Sequence, residues 1–173
     1  MSAMLRLVNC PHCGCEFEVF RPRSSRHHRL FFAVIAWAFD NWPEAHDFKP
    51  DNPEHLRAWL FREVGYIGRI GNGYNILNPD PGKLTDFWAQ AFHAARLSGG
   101  YGWLEQRENG DLEFITPRSI AWNELDQQAF NPVAERVFNE IAAIFDFKIG
   151  GVDWKKKVKD HKRQKLLARA MSI

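Results

Sequence analysis

The run Cys10-Pro11-His12-Cys13-Gly14-Cys15 carries all three cysteines of the chain. Two cysteines three residues apart, around a glycine-assisted turn, can aim both thiolates at one ion while backbone amides steady the sulfurs. Structural Zn2+ is the metal that suits this donor set, held as in a zinc knuckle or the hairpin of a zinc ribbon. Cys10 and Cys13 make the pair and Cys15 is a third donor. A closed structural site needs a fourth, for which His12 stands nearest; His27, His28 or a residue of a second chain are alternatives. The sequence has no second Cys-x-x-Cys. An open fourth position would permit water activation, but the only carboxylates close by are Glu16 and Glu18, so the metal is read as structural. The competing reading is three reduced cysteines without a metal.

The second feature is charge. The formal net charge is only +2, but it is sorted along the chain. Residues 1–29 carry net +3, residues 30–152 net −7 and residues 153–173 net +6. Basic ends around an acidic middle suggest contact with a polyanion. At the first end, Arg21, Arg23, Arg26 and Arg29 crowd a predicted helix start together with His27 and His28. Positive charge there opposes the helix dipole, and phosphate binding by guanidinium groups and free amides would be its use. The alternative is that Glu44 and Asp47 neutralise it. At the other end, Lys155, Lys156, Lys157, Lys159, Lys162 and Arg163 lead a dense basic segment, which attracts phosphates without reading sequence. Trp154 at its start either stacks on a base or anchors the tail. Tyr101 and Trp103 are the other stacking candidates.

Other chemistries find little support. There is no Gly-Lys-Ser/Thr phosphate loop and no Gly-x-Ser-x-Gly. His46, His55 and His93 lack the spacing of a helix-borne metal site, and no catalytic residue is assigned. A zinc-dependent nuclease built from Asp51, Glu54, His55, Asp80 and Asp86 is the remaining enzyme reading, and nothing in their spacing selects them. The longest apolar run, residues 30–39, is far short of the roughly 18–20 residues a membrane helix needs. The first eight residues do not read as a signal peptide, so the cytoplasm is expected.

The elements that must position these groups follow from periodicity and caps. Residues 4–20 read as a hairpin whose turn holds the cysteines. A first helix is expected over residues 26–41, capped by Ser24 or Ser25, burying Phe31, Val34, Ile35, Ala38 and Phe39 and ended by Pro43. A second starts at Pro53, with Leu56, Trp59, Leu60 and Val64 as its stripe and Gly65 as its stop. Residues 68–82, rich in Gly and Pro, read as an irregular loop. A third helix is expected from Thr85 to Ser98, with Trp88, Ala91, Phe92 and Ala95 facing the core and Phe87 at the edge. Asn109-Gly110 signals a type I′ hairpin turn. A fourth helical segment over residues 123–145 is expected to be divided by Pro132. The fold class is therefore α+β: a zinc-knuckle hairpin (residues 1–20), a helical core of about four helices with a second hairpin (21–152), and a basic C-terminal helix (153–173), together one compact domain.

The stretch from Arg21 to Phe32 (Arg-Pro-Arg-Ser-Ser-Arg-His-His-Arg-Leu-Phe-Phe), the Asn41-Trp42-Pro43 helix end, the Leu56-Arg57-Ala58-Trp59-Leu60 pattern and the Thr116-Pro117-Arg118-Ser119-Ile120-Ala121-Trp122 segment resemble a widespread family of small phage and prophage proteins. The resemblance covers residues 18–147. A more distant similarity is to the lambdoid recombination proteins of the NinB (Orf) type, in which an Arg-Ser-rich turn also precedes a helix. That similarity implies a dimer that binds single-stranded DNA, with contact by Arg21, Arg23, Arg26 and Arg29. The cysteine knuckle and the lysine-rich tail depart from the pattern. The reading is a DNA-binding recombination or replication accessory. The alternative is a phage-encoded protein that modulates a host protein, such as a defence nuclease, its acidic middle mimicking nucleic acid.

Overall fold

A computed structural model describes residues 6–9, 15–19, 24–70, 74–120 and 125–171. The class is mixed α and β, with five helices and two antiparallel sheets among these residues. The chain forms two compact units, Met1–Phe48 with Ile120–Ile173, and Lys49–Ser119. No helix is long and apolar enough to cross a membrane among the described residues.

In the first unit, β1 (Arg6–Asn9) pairs with β2 (Glu16–Val19), the rungs running from Arg6↔Val19 to Asn9↔Glu16. Helix α1 (Ser25–Asp40) starts where its cap is local: the Ser24 side chain accepts from the His27 amide. It buries Phe31, Val34, Ile35, Trp37 and Ala38, an apolar stripe at helical spacing. Helix α4 (Gln127–Ile144) lays Phe130, Val133, Val137 and Ile141 in a matching stripe, capped by Asp126. Phe31 and Phe130 meet edge to face with ring centres 5.3 Å apart. Pro132 does not divide α4, contrary to the expectation from sequence; it is the sixth residue of one continuous helix. It removes a single ladder hydrogen bond, and the buried stripe on either side of it holds the helix together.

The second unit is a three-stranded sheet in the order β3 (Ile67–Ile70), β5 (Leu112–Pro117), β4 (Trp103–Gln106), with α2 (Pro53–Glu63) and α3 (Pro81–Leu97). Part of the expected loop over residues 68–82 is thus strand β3, because Ile67 and Ile70 find partners in β5 at Pro117 and Phe114. The same stretch ends in a helix start: the Asp80 side chain accepts from the Gly82 and Lys83 amides and Pro81 takes the first turn, so α3 begins four residues before Thr85. Helix α2 ends as its glycine suggests. Gly65 adopts φ +70°, the Tyr66 amide donates to the Phe61 carbonyl and the Gly65 amide to that of Arg62, a Schellman closure. Glu113, buried on β5, is bracketed by Arg69 and Arg107. Burial acts to raise its pKa, but the hydrogen bonds and charges of the two guanidinium groups outweigh this and hold it below its ordinary 4.5.

The β4–β5 turn also departs from expectation. Only Gly110 has positive φ (+87°), whereas a type I′ turn needs it at both central residues. The Gly110 amide donates to the Arg107 carbonyl, and the Arg107 amide to that of Asp111, a type I turn closed by a glycine bulge. Residues 74–78 set this choice by docking on the tip: Asn75 Nδ2 donates to the Asn109 carbonyl and Asp111 Oδ1, and the Ile76 amide to the Gly110 carbonyl. A Cβ on Gly110 would lie 2.6 Å from Leu77 Cγ and 2.8 Å from Asn75 Oδ1. Gly110→Ala therefore meets both positive-φ strain and a clash. Thermal denaturation should show a loss of about 2 kcal/mol, made up of roughly 1 kcal/mol of backbone strain plus displaced neighbours; a neutral result would mean that the 74–78 segment is not held on the hairpin.

Candidate nucleic-acid interface

Helix α5 (Trp154–Met171) carries the lysine-rich segment. Asp153 starts it, its Oδ1 accepting from the Lys156 amide. Trp154, Val158, His161 and Lys165 recur at i, i+4, i+7 and i+11, on one face. That face docks. The Trp154 ring lies 5.7 Å from those of Trp37 and Phe138, and Val158 is buried. His161 Nε2 sits 2.9 Å from Asp40 Oδ2, which Lys165 also reaches. Trp154 thus acts as the anchor of the tail.

Docking one face decides which cations remain outward. Lys157 turns inward, its ammonium 3.9 Å from the Phe147 ring centre and 5.5 Å from that of Trp37. Lys155, Lys156, Lys159, Lys162 and Arg163 are exposed. At about 100° per residue they fall within roughly 120° of the helix circumference and span about 12 Å of its axis. This is a continuous cationic stripe, with no acidic side chain inside that arc; Asp160 falls outside it. Beyond it the helix is exposed throughout, with Leu166 and Leu167 open to solvent.

The Asp40 link is electrostatic and titrates. Burial acts to raise the Asp40 pKa, but the hydrogen bonds and charges of Lys165 and His161 outweigh it and hold the carboxyl below its ordinary 3.8. A depressed carboxylate pKa stabilises the folded form above the unfolded value and ceases to do so as pH falls through the folded one. Amide protection in α5 should therefore fall as pH drops below 3.8, and Asp40→Asn should flatten that fall. Hydrogen exchange of the two proteins across acid pH checks this; identical profiles would show that Asp40 does not hold the helix.

At the other end of α1, Arg26 and Arg29 are exposed in its first turn, with Arg29 Nε 3.3 Å from the Ser25 carbonyl. The two histidines between them turn inward. The His27 ring lies 5.4 Å from Phe130 and that of His28 4.8 Å from Phe32. Gln127, which sequence reasoning missed, ties this turn to α4: its Oε1 accepts from the Ser24 amide (2.6 Å) and its Nε2 donates to His27 Nδ1 (2.8 Å) and to Asn131 Oδ1. Arg26 is about 21 Å of helix from Asp40, so the arginine turn and the Asp40 contact of α5 lie at opposite ends of α1. Arg21 and Arg23 lie outside the described residues.

So do Cys10, His12 and Cys13. Among the described residues no group of three or more His, Cys, Asp or Glu is placed to hold a metal. The strand pairing ends at Asn9↔Glu16, and Cys15 is exposed.

In the second unit, Tyr101 stacks on His55 at 5.1 Å and its hydroxyl donates to Asn52 Oδ1, while Arg62 covers Trp103 at 5.4 Å. Both stacking candidates are therefore already engaged. Among the described residues the exposed aromatics are Trp88 and Phe92 (45% and 78%) on α3, which sequence periodicity assigns to the core; Ala91 is buried as expected, and Phe87, expected at the edge, is buried beside it. No protein-family model, curated protein or solved structure matches the chain.

Proposed function

We propose that this chain is a phage-type DNA-binding protein, a recombination or replication accessory that holds single-stranded DNA through its phosphates. The observation that carries the reading is the outward stripe of α5, where five cations share one face while the opposite face is anchored. A docked helix presents such charges at little further entropic cost. Arg21, Arg23, Arg26 and Arg29 add a second basic group, and the resemblance to NinB-type proteins supports the single-stranded preference and a dimer in the host cytoplasm. Structural Zn2+ on Cys10, Cys13, Cys15 and His12 would brace the N-terminal hairpin. Elemental analysis should find one zinc per chain, lost in Cys13→Ser; a metal-free wild type would leave three reduced thiols.

Anisotropy titration of single- and double-stranded oligonucleotides at two salt concentrations tests the reading. Binding should weaken steeply with salt and favour the single strand. Absence of binding at low salt would favour the second reading, a modulator of a host protein. For that reading the supporting observation is the exposed Trp88 and Phe92, one turn apart on α3, since exposed apolar patches mark protein contacts.

A further inference from the structure

Within the first unit, α4, the first turn of α1 and the segment leading into α5 enclose an open cavity of about 290 Å³. We propose that it accepts a guanine base of a bound single strand, an inference that rests on the DNA-binding reading above. The size falls near the lower end of small-molecule sites. Its apolar lining is Phe138, Ala142, Val152 and Trp154, a surface against which a base can pack.

The polar groups have an order. Asn131, Glu135 and Asn139 line the cavity at i, i+4 and i+8 of α4, one row with about 6 Å of rise between neighbours. Gln127 sets the donors at one end. Because its Oε1 takes the Ser24 amide proton, its Nε2 is the group that donates to His27 Nδ1 and to Asn131 Oδ1. With Nδ1 accepting from Gln127, the His27 ring has its N–H on Nε2, and Asn131 keeps its NH2 for another partner. Donors therefore stand at the His27–Asn131 end, and the Glu135 carboxylate, an acceptor only, comes next.

Guanine matches that order. Its pairing edge presents the O6 acceptor, then the N1–H and N2–H2 donors, and a carboxylate can take both donors at once. Thymine offers a single ring N–H between two carbonyls. Adenine and cytosine place a ring-nitrogen lone pair against the carboxylate, an unpaired and repulsive contact. Lys155 and Lys156, exposed and immediately after Trp154, would meet the flanking phosphates.

The experiment compares a labelled oligothymidine with the same oligomer carrying one central guanine, using the full chain. Wild type should bind the guanine oligomer about tenfold tighter, the discrimination a bidentate base contact supports. Glu135→Gln, at an exposed helix position, should bind the two oligomers equally. Equal binding of both oligomers by wild type, or a preference surviving in Glu135→Gln, overturns the pocket and leaves strand binding intact. If neither oligomer binds, the strand-binding reading fails. Guanosine monophosphate is then titrated against cytidine monophosphate while the His27 ring and the Asn131 and Asn139 amides are followed by NMR. Shifts specific to guanine sustain the pocket as a free-nucleotide site, and their absence overturns it.

Discussion

Replacing Lys156, Lys159, Lys162 and Arg163 together with glutamine should cost on the order of a hundredfold in affinity for single-stranded DNA and leave the fold intact. The four side chains are exposed, and exposed substitutions usually move stability by no more than about 0.5 kcal/mol each. Glutamine keeps a helix propensity close to that of lysine and arginine. The more telling readout is the salt dependence. Each phosphate neutralised on a single strand contributes about −0.7 to the slope of log K against log salt, so four lost contacts should flatten it by about 3. Lys157→Gln is the internal control, because its ammonium faces Phe147 and Trp37. It should loosen α5 and barely change the slope. An unchanged slope in the quadruple variant would remove α5 from the binding surface.

Phe130→Ala should destabilise the protein by about 3–5 kcal/mol in urea denaturation, the usual cost of emptying a phenylalanine site in a packed core. Phe130 is 0% exposed and packs against the rings of Phe31 and His27. Domains of ordinary stability hold only about 5–15 kcal/mol, so the variant gives up a large part of what keeps α1 on α4. Phe92→Ala is the counterpart. At 78% exposure it should be close to neutral, although sequence periodicity places it in the core. A large loss there, or a small one at Phe130, would mean that the core is elsewhere.

The comparison of those two phenylalanines shows where sequence reasoning reached its limit. Helix α1 was legible because its cap at Ser24 and its apolar stripe are local, and so was the Pro53 start and Gly65 stop of α2. On α3, apolar side chains at Leu84, Phe87, Trp88, Ala91, Phe92, Ala94, Ala95 and Leu97 cover most of the circumference, so the period does not select a face. Gly68 and the glycines after it make the β3 segment look like loop locally, whereas its pairing with β5 is made across more than forty residues. The turn at Asn109-Gly110 was recognised, but its type depends on the 74–78 segment lying against it.

For the candidate site, the basic residues were visible as charge, and the row Asn131, Glu135, Asn139 was present as a polar i, i+4, i+8 stripe without a reason to be singled out. By itself the sequence determined which segments are helices with strong caps, where the cations and the three cysteines are concentrated, and that the class is α and β mixed. The tertiary structure alone decided which cations face outward, that Lys157 rests on aromatic rings, that β3 exists, and that His27 and Trp154 line one cavity with α4. The division has a physical cause: caps, proline and glycine act within a turn of helix, while exposure and strand pairing are set by what distant segments cover.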